Sequence, residues 1–345
     1  MNLSSKLLVF NPTYKDYIWG GSRIASLYAR GGTPERCAES WEIAAHPDGD
    51  SVVAQGPFAG RTLSGLVAKF GAALIGTRAP SPTRFPLLFK LIDAREKLSV
   101  QVHPSNATAG LTGGEPKTEM WYVLGHTDGA SLYAGLREGV TPDTLRAALD
   151  NGTAEQCLVE MRVAKGESLF IPGGLVHAIG AGCLIYEVQQ NSNTTYRFYD
   201  WGRVGADGKP RPLHVAESFK VMDWALPPPR MTPPTVTHTT ARAAWADVVS
   251  CDYFNVRKLT VRGQETVPLD GTSFHALFVE AGRAFVEVGD NPYLIGAGAM
   301  GIIPSRAPPA YVYDHLLTAG ASALIPAAAT RYTVTGHASI LVTTL

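Results

Sequence analysis

The chain has 345 residues, enough for one large domain or two medium ones, and its hydrophobic content of 45% and charged content of 17% suit a globular protein with a sizeable core. Thirty basic and thirty acidic residues cancel, so no global field attracts nucleic acid or an anionic membrane. With 35 glycines and 24 prolines, the composition favours many turns and short strands over long helices.

The sequence also bears on the compartment in which the protein works. Residues 1–14 contain one lysine and no sustained apolar run, unlike a secretory signal. No stretch approaches the ~20 apolar residues that a membrane span requires. The four cysteines are scattered without a CxxC pair, which favours reduced thiols over disulfides. We therefore expect a cytoplasmic protein, with neither nucleic acid nor membrane as a partner.

The first ninety residues predict short helices and loops. Residues 21–30 and 63–75 have helix-like apolar spacing, with Thr62 or Ser64 as a cap for the second. From Leu87 the pattern changes to short strands bounded by Gly, Pro, Asn or Asp, which is typical of a barrel or sandwich. The predicted strands cover residues 98–102, 119–124, 131–133, 158–163, 168–171, 184–189 and 196–199.

Two helices are predicted after these first strands. One has Thr141 as N-cap and Pro142 in its first turn, and it stops at Asn151-Gly152. The other covers residues 215–224. The proline-rich run at 226–234 can continue neither a helix nor a central strand, so it predicts a linker. The predicted domains are therefore residues 1–234 and 235–345.

Three strand-like segments carry residues that are suited to a metal ion. Residues two apart on a strand face the same side, so Gln101 and His103 point together. Glu119 begins the next strong strand, and His177 follows later. Two imidazoles, a carboxylate and an amide oxygen suit zinc, while manganese, iron or cobalt fit the same mixed set. Taken singly, each histidine is more often a hydrogen-bonded core residue.

The spacing around His177 resembles a known motif. Gly166, Pro172 and Gly174 precede it with the spacing of the second sequence motif of cupin barrels. The interval from Gly166 to Pro172 recurs weakly later in the chain, where Arg331, which cannot ligate a metal, takes the histidine position. Chance recurrence in a chain rich in glycine and proline is the alternative. The predicted fold is mainly β: a cupin (jelly-roll) barrel with helical additions, plus a second, degenerate and metal-free cupin barrel.

Longer motifs resemble the type I phosphomannose isomerase family, and its short bacterial branch in particular. The similarity extends from about residue 12 to about residue 224 and is weak afterwards, where the family has its second, metal-free cupin domain. The motifs are residues 38–43 (AESWEI), 45–49 (AHPDG), 87–93 (LLFKLID), 98–104 (LSVQVHP), 117–122 (KTEMWY) and 190–197 (QNSNTTYR).

This resemblance implies a zinc enzyme, with one ion per chain, that interconverts mannose 6-phosphate and fructose 6-phosphate. It implies that the metal ligands are Gln101, His103, Glu119 and His177, and that Arg197 is the catalytic arginine. Such a reaction moves a proton between C1 and C2 through a cis-enediol, so charge must be stabilised where the enediolate oxygens form. A metal acts there as a Lewis acid, and Arg197 adds a planar cation. The alternative for Arg197 is a structural pairing with Asp200.

The phosphate and the acid/base chemistry need further residues. By resemblance, Ser99, Lys90 and Lys117 fall at pocket positions that suit a phosphate dianion, with Arg203 a weaker candidate. The alternative is that the lysines are solvated surface cations. Glu187 is the first choice for the base, with Lys117 also a catalytic candidate. The apolar residues before Glu187 predict burial, which would raise the pKa of its carboxyl group.

Asn193 departs from the family pattern. Many relatives have Asp at this position of the substrate pocket, and Asn cannot exchange a proton. The departure predicts slow turnover, an altered substrate, or reliance on Glu187 or Lys117. Three alternatives therefore stay open: an isomerase of another aldose or sugar phosphate, a non-catalytic sugar-binding or regulatory cupin, and an iron cupin oxygenase. Both a monomer and a homodimer are compatible with the sequence.

Overall fold

The computed structural model describes residues 3–28, 32–204, 208–289 and 316–345. Its strands are β1 Leu8–Asn11, β2 Thr13–Lys15, β3 Glu39–Ile43, β4 Ala45–His46, β5 Gly49–Asp50, β6 Val52–Val53, β7 Leu87–Asp93, β8 Val100–Val102, β9 Glu119–His126, β10 Ser131–Leu136, β11 Leu158–Arg162, β12 Ser168–Ile171, β13 His177–Ile179, β14 Cys183–Gln190, β15 Tyr196–Tyr199, β16 Thr235–Thr239, β17 Ala243–Ser250, β18 Asn255–Pro268, β19 His275–Val288, β20 Leu316–Thr318, β21 Ser322–Ile325 and β22 Arg331–Thr344. The α-helices are α1 Arg23–Tyr28, α2 Leu63–Phe70, α3 Ala72–Ile75, α4 Pro142–Asp150 and α5 Val215–Val221. Short 3-10 helices cover Gly56–Phe58, Ala109–Leu111 and Ala154–Cys157.

The chain forms two compact units that differ from the predicted domains. The central unit contains Thr13–Gly49 and Leu87–Pro233, and the terminal unit contains Met1–Pro12, Asp50–Pro86 and Pro234–Leu345. The boundary between Pro233 and Pro234 lies beside the predicted one. The first domain, predicted as residues 1–234, nevertheless loses two segments to the terminal unit. The reason is strand pairing, since β1 pairs with β21 on one side and with β6 on the other.

The described residues of the central unit contain two large antiparallel sheets, and a small two-stranded sheet pairs β4 with β5. Its described residues form a six-stranded sheet in the order β12-β9-β14-β7-β3-β2 and a five-stranded sheet in the order β11-β10-β13-β8-β15. Apolar side chains from both sheets form one core, including Trp121 and Ile185 from the first and Leu132 and Ile179 from the second. Two sheets around one shared core are the arrangement of a jelly roll. All seven residues of β7 are buried, which explains its nearly continuous apolar sequence.

The helices match the sequence prediction with three local differences. The Thr141 side chain caps α4 in a reciprocal capping box with Thr144, as the sequence indicates. The helix predicted over 63–75 is divided at Gly71, where φ is +49°, and Thr62 rather than Ser64 caps its first part. The helix α5 ends at Val221, because Met222 is already extended. The helix predicted over 21–30 begins only at Arg23, as α1, and residues 29 and 30 lie outside the described residues.

The terminal unit contains one antiparallel sheet. Its described residues give nine strands, in the order β16-β17-β18-β22-β19-β21-β1-β6 with β20 on β19. A core that includes Val261, Val286, Tyr332 and Ile340 packs against it. Arg331, which takes the position equivalent to His177 in the predicted repeat, is exposed at the start of β22. Closure of this unit into a second cupin barrel stays a prediction.

The sequence also predicts that the chain has no membrane-spanning helix and that its cysteines are reduced. None of the described helices is long and apolar enough to cross a bilayer. None of the four cysteines forms a disulfide.

Candidate active site

The five-stranded sheet aligns three of the predicted site residues in one row. In β8, Gln101 lies opposite Arg197 of β15 on one side and opposite His177 of β13 on the other. Directly opposed residues of antiparallel strands project from the same face, so these three side chains share a surface. Gly174 shapes the turn before His177: its φ is +94°, and its N–H donates to the carbonyl of His103 at 2.8 Å.

The six-stranded sheet contributes the acidic and lysine residues in a similar way. Glu187 of β14 lies opposite Trp121 of β9 and opposite Lys90 of β7. Glu119 lies two residues before Trp121 on β9 and therefore shares its face. The surface thus formed carries two carboxylates and a lysine, and all of them are buried.

The predicted metal ligands converge on one point. The Nε2 atoms of His103 and His177 are 3.1 Å apart, and the Glu119 carboxylate oxygens lie 3.6 Å and 3.4 Å from them respectively. The amide end of Gln101 is 3.2 Å from the same His177 nitrogen. Two ligands bound tetrahedrally at ~2.1 Å from zinc are about 3.4 Å apart. The observed separations therefore suit a single small cation.

The surroundings of these atoms also fit a cation. Glu119 is fully buried, and its Oε1 accepts no hydrogen bond from any described residue. A buried carboxylate oxygen without a donor is costly, and a bound cation would remove that cost. The Gln101 side-chain amide can rotate by 180° to present its oxygen. His103, Glu119 and His177 together form a group that could hold a metal ion.

The two histidines are held in the form that a metal requires. Burial lowers the pKa of His177 to about 3. Burial and the nearby Lys117 keep the pKa of His103 well below its ordinary value. Both imidazoles are therefore neutral at neutral pH. Nδ1 of His177 lies 2.8 Å from the carbonyl of Leu175, to which it donates, so that its Nε2 carries the lone pair.

Two buried lysines flank the carboxylates. Lys90 Nζ lies 3.2 Å from Glu187 Oε1 and 3.7 Å from Glu39 Oε2. Burial opposes the charge of Lys90, but these carboxylates outweigh it and raise the pKa of the ammonium group. Lys117 Nζ lies 2.9 Å from Glu119 Oε2. The alternative that these lysines are solvated surface cations is wrong, since each is only 4% exposed.

Glu187 is buried as predicted, but the predicted effect on its pKa is wrong. Burial alone would raise the pKa of this carboxyl group. The positive charges of Lys90 and Lys117 outweigh burial, with a further contribution from the indole of Trp121, and they leave the pKa below its ordinary value. The indole Nε1 donates to Glu187 Oε2 at 2.9 Å. Glu187 is therefore an ionised carboxylate at neutral pH.

Arg197 is bound by neutral acceptors rather than by Asp200. Its Nε donates to Ser99 Oγ at 3.0 Å, and its Nη1 donates to the carbonyl of Pro212 at 3.3 Å. Asp200 instead accepts from Arg203 at 2.5 Å and from Arg211 at 2.6 Å. Among the described residues, Arg197 therefore forms no hydrogen bond or ion pair with Asp200, and its structural alternative is not observed. Arg203 is paired with Asp200 and is not a free cation for the pocket.

Asn193 makes a contact that the sequence did not indicate. Its Nδ2 donates to Asp48 Oδ2 at 2.7 Å, and its backbone N–H donates to Glu115 Oε2 at 3.3 Å.

Sequence reasoning also missed Glu39 and Trp121, which contact Lys90 and Glu187. Strand alternation would have found Trp121, which lies two residues after Glu119.

Comparison with known proteins agrees with this geometry. The sequence model of a protein family, the phosphomannose isomerase type I catalytic domain, matches residues 7–120. Mannose-6-phosphate isomerase ManA of Bacillus subtilis (strain 168) is 36% identical over 268 residues, which cover 77% of this chain and 82% of the relative. Mannose-6-phosphate isomerase of Streptococcus mutans is 36% identical over 301 residues, which cover 84% and 89%.

A solved structure extends the likeness to nearly the whole chain. The crystal structure of the mannose 6-phosphate isomerase from Bacillus subtilis superposes with a TM-score of 0.83 at 28% identity, and the match covers 98% of this chain and 99% of the other. It confirms the predicted mainly β cupin fold. The chain belongs to the type I phosphomannose isomerase family.

Proposed function

We propose that this chain interconverts mannose 6-phosphate and fructose 6-phosphate with the help of one divalent metal ion, and that the ion is zinc. The observation that carries the proposal is the convergence of the ligand atoms of His103, Glu119 and His177 within 4.8 Å of one another in a buried site. Two relatives of 36% identity named mannose-6-phosphate isomerase support the choice of substrate. We also propose a cytoplasmic location.

The ligand set proposed is Gln101, His103, Glu119 and His177. Mixed nitrogen and oxygen donors favour zinc, with manganese, iron and cobalt as the alternatives. The bound ion supplies Lewis acidity at the sugar oxygens that gain charge. The protein prepares this site by keeping both imidazoles neutral and by fixing the tautomer of His177 through Leu175.

The remaining roles follow from charge and position. Arg197 provides a planar cation for the enediolate oxygens, and Ser99 orients it through the bond to Nε. Glu187, ionised and held by Trp121, accepts the proton from the sugar carbon. Lys117, which is buried, stabilises the negative charge that develops on the sugar oxygens. We assign Lys90, Ser99, Lys117 and Asn193 to substrate binding.

A coupled assay with mannose 6-phosphate tests the proposal. Purified protein should bind one metal ion per chain, lose turnover on chelation and regain it when zinc is restored. Arg197→Ala should lower kcat by about 10²–10³-fold with the metal retained, as expected for loss of a donor to a developing oxyanion. Arg257→Ala, in which an exposed arginine paired with Asp247 is removed, is the matched control. Full activity of the metal-free protein would refute the proposal.

A second candidate is an isomerase of another aldose. It is favoured by the fact that Ser99 and Asn193, two of the predicted substrate contacts, each already bond a protein side chain, Arg197 and Asp48 respectively. Inorganic phosphate should compete with the substrate if the pocket binds a 6-phosphate. Absence of competition, together with turnover of an unphosphorylated aldose, would favour this second candidate.

A further inference from the structure

The bond between Asn193 and Asp48 joins an amide to a carboxylate. The Asn193 amide can only donate through Nδ2, and the carboxylate of Asp48 can only accept, so the 2.7 Å contact is a charge-assisted hydrogen bond. The pair contains one carboxylate and one amide. A second carboxylate at this distance would repel the first, and a second amide would leave the pair without charge. The carboxylate of this pair is residue 48, not residue 193.

The backbone around Asp48 is held firmly. Its N–H donates to His46 Nδ1 at 3.1 Å, and its carbonyl accepts from Lys15 Nζ at 2.7 Å. Because His46 Nδ1 accepts, its Nε2 carries the proton and donates to Glu115 Oε2 at 3.2 Å. The backbone N–H of Glu115 in turn donates to Thr194 Oγ1 at 2.9 Å. Hydrogen bonds therefore fix the backbone of Asp48 on one side of the pair and the backbone next to Asn193 on the other.

The Asp48 side chain remains accessible to a ligand. It is 54% exposed, and among the described residues Oδ1 has no hydrogen-bond partner, while Oδ2 is bound by Asn193. One oxygen is therefore positioned by the protein and the other is open. This is the arrangement required of a carboxylate that accepts a proton or a hydroxyl hydrogen bond from a bound molecule.

Several contacts connect this pair with the metal-ligand cluster. The backbone of Thr194, the residue after Asn193, lies beside the His103 imidazole. His46 contacts the Trp41 ring, over which Lys90 Nζ lies at 5.2 Å from the centroid.

Tyr17 supplies an independent indication. Burial and the charge of Glu39 raise the pKa of its phenol, and the charges of Lys90, Asp48 and Arg197 also act on that group. Tyr17 therefore lies within electrostatic reach of Asp48 as well as of Lys90 and Arg197.

We propose that Asp48 is an acceptor carboxylate for the substrate, and that Asn193 positions it. In the isomerisation, one sugar hydroxyl loses its proton as its carbon becomes a carbonyl, and the electrons of the broken O–H bond enter the C=O bond. Asp48 accepts that proton and returns it to the oxygen that ceases to be a carbonyl, so no oxidant and no net proton are required. The inference rests on the proposed function, and it accounts for an enzyme that has Asn at position 193.

Four proteins test this exchange of roles: wild type, Asp48→Asn, Asn193→Asp and the double variant that exchanges the two residues. We expect kcat/KM to fall by about 10²-fold in Asp48→Asn, the lower range for loss of a general base. Asn193→Asp should fall by about tenfold or more, because two adjacent carboxylates share a proton and the acidic limb of its pH–rate profile moves to higher pH. The double variant should regain activity to within about threefold of wild type, with the limb restored.

Asp247→Asn is the matched control, since this carboxylate in the terminal unit is similarly exposed, at 58%. Metal content and melting temperature are measured for every variant. Retention by Asp48→Asn of wild-type kcat/KM and pH profile would overturn the inference. So would a double variant that regains its melting temperature but neither its rate nor its acidic limb, since the pair would then be structural. Wild-type protein that converts neither hexose phosphate would refute the proposed function, and the inference with it.

Discussion

Removal of the Glu187 charge should separate the catalytic role of this residue from its structural role. In Glu187→Gln, the amide oxygen can still accept the Trp121 indole N–H, which now bonds Oε2 at 2.9 Å. The negative charge 3.2 Å from Lys90 Nζ is lost, and the amide nitrogen that takes the place of Oε1 cannot accept a hydrogen bond from this ammonium. Both residues are less than 5% exposed, so water cannot replace that charge.

The expected loss of stability follows from this geometry. At an effective dielectric constant of ~20, two unit charges 3.2 Å apart attract by about 5 kcal/mol. Glu39 Oε2 still lies 3.7 Å from Lys90 Nζ, and Glu187 no longer has to be buried as an ion. The net loss in the free energy of unfolding should therefore be about 3 kcal/mol, at the low end for a broken buried pair. The loss of kcat should be about 10²-fold or more if Glu187 is the general base.

The double variant Lys90→Met/Glu187→Gln provides the decisive comparison. Without the ammonium, Glu39 is the carboxylate that loses its cation, but the Trp41 indole N–H still donates to its Oε2 at 2.7 Å, so most of the stability should return while the activity stays low. Urea unfolding of the metal-loaded proteins measures the first quantity, and the coupled isomerase assay measures the second. The reasoning is refuted if Glu187→Gln keeps more than half of the wild-type kcat, or if the double variant is as unstable as Glu187→Gln.

Three further predictions concern the metal, Arg197 and a histidine of the terminal unit. Chelation should lower the melting temperature as well as abolish turnover, because an ion that binds only the folded chain stabilises it. A thermal unfolding scan with and without added zinc measures this effect. Equal melting temperatures would show that the four donors bind no metal. Ser99→Ala should lower kcat by about tenfold through loss of the bond to Arg197 Nε. Ser99→Thr keeps the hydroxyl group and should retain most of the wild-type kcat. An unchanged kcat in Ser99→Ala would contradict the orienting role. Burial lowers the pKa of His275 to about 4. Below pH ~6.5 the unfolded chain therefore binds more protons than the folded one. The free energy of unfolding should fall as the pH decreases from there towards 4. Urea unfolding at pH 7 and pH 5 should show this decrease in wild type and a smaller one in His275→Gln; equal decreases would contradict the assignment to His275.

Much of the candidate site is predictable because it depends on local rules. The two-residue period of a strand places Gln101 and His103 together, and the turn around Gly174 precedes His177 in the expected way. The Thr141 cap and the proline after it likewise specify the start of α4. Such features depend on neighbours within a few residues, so they are legible without the tertiary structure. That these residues bind a metal stays a prediction.

Other features depend on contacts between distant parts of the chain. The segments Met1–Pro12 and Asp50–Pro86 belong with the C-terminal strands because β1 lies between β21 and β6. Nothing in the composition of β1 specifies that partner, since its unpaired backbone groups could extend many sheets.

By itself, the sequence determined the strand-rich fold class, the order of the motifs and the donor types, because side-chain chemistry and strand period are local properties. Only the tertiary structure decided the sign of the Glu187 pKa shift and the partner of Asn193. Both depend on charges brought close by strand pairing and loop contacts: Lys90 faces Glu187 from the neighbouring strand, and Asp48 is 145 residues from Asn193 along the chain. Electrostatic interactions depend on distance in space, and folding sets that distance.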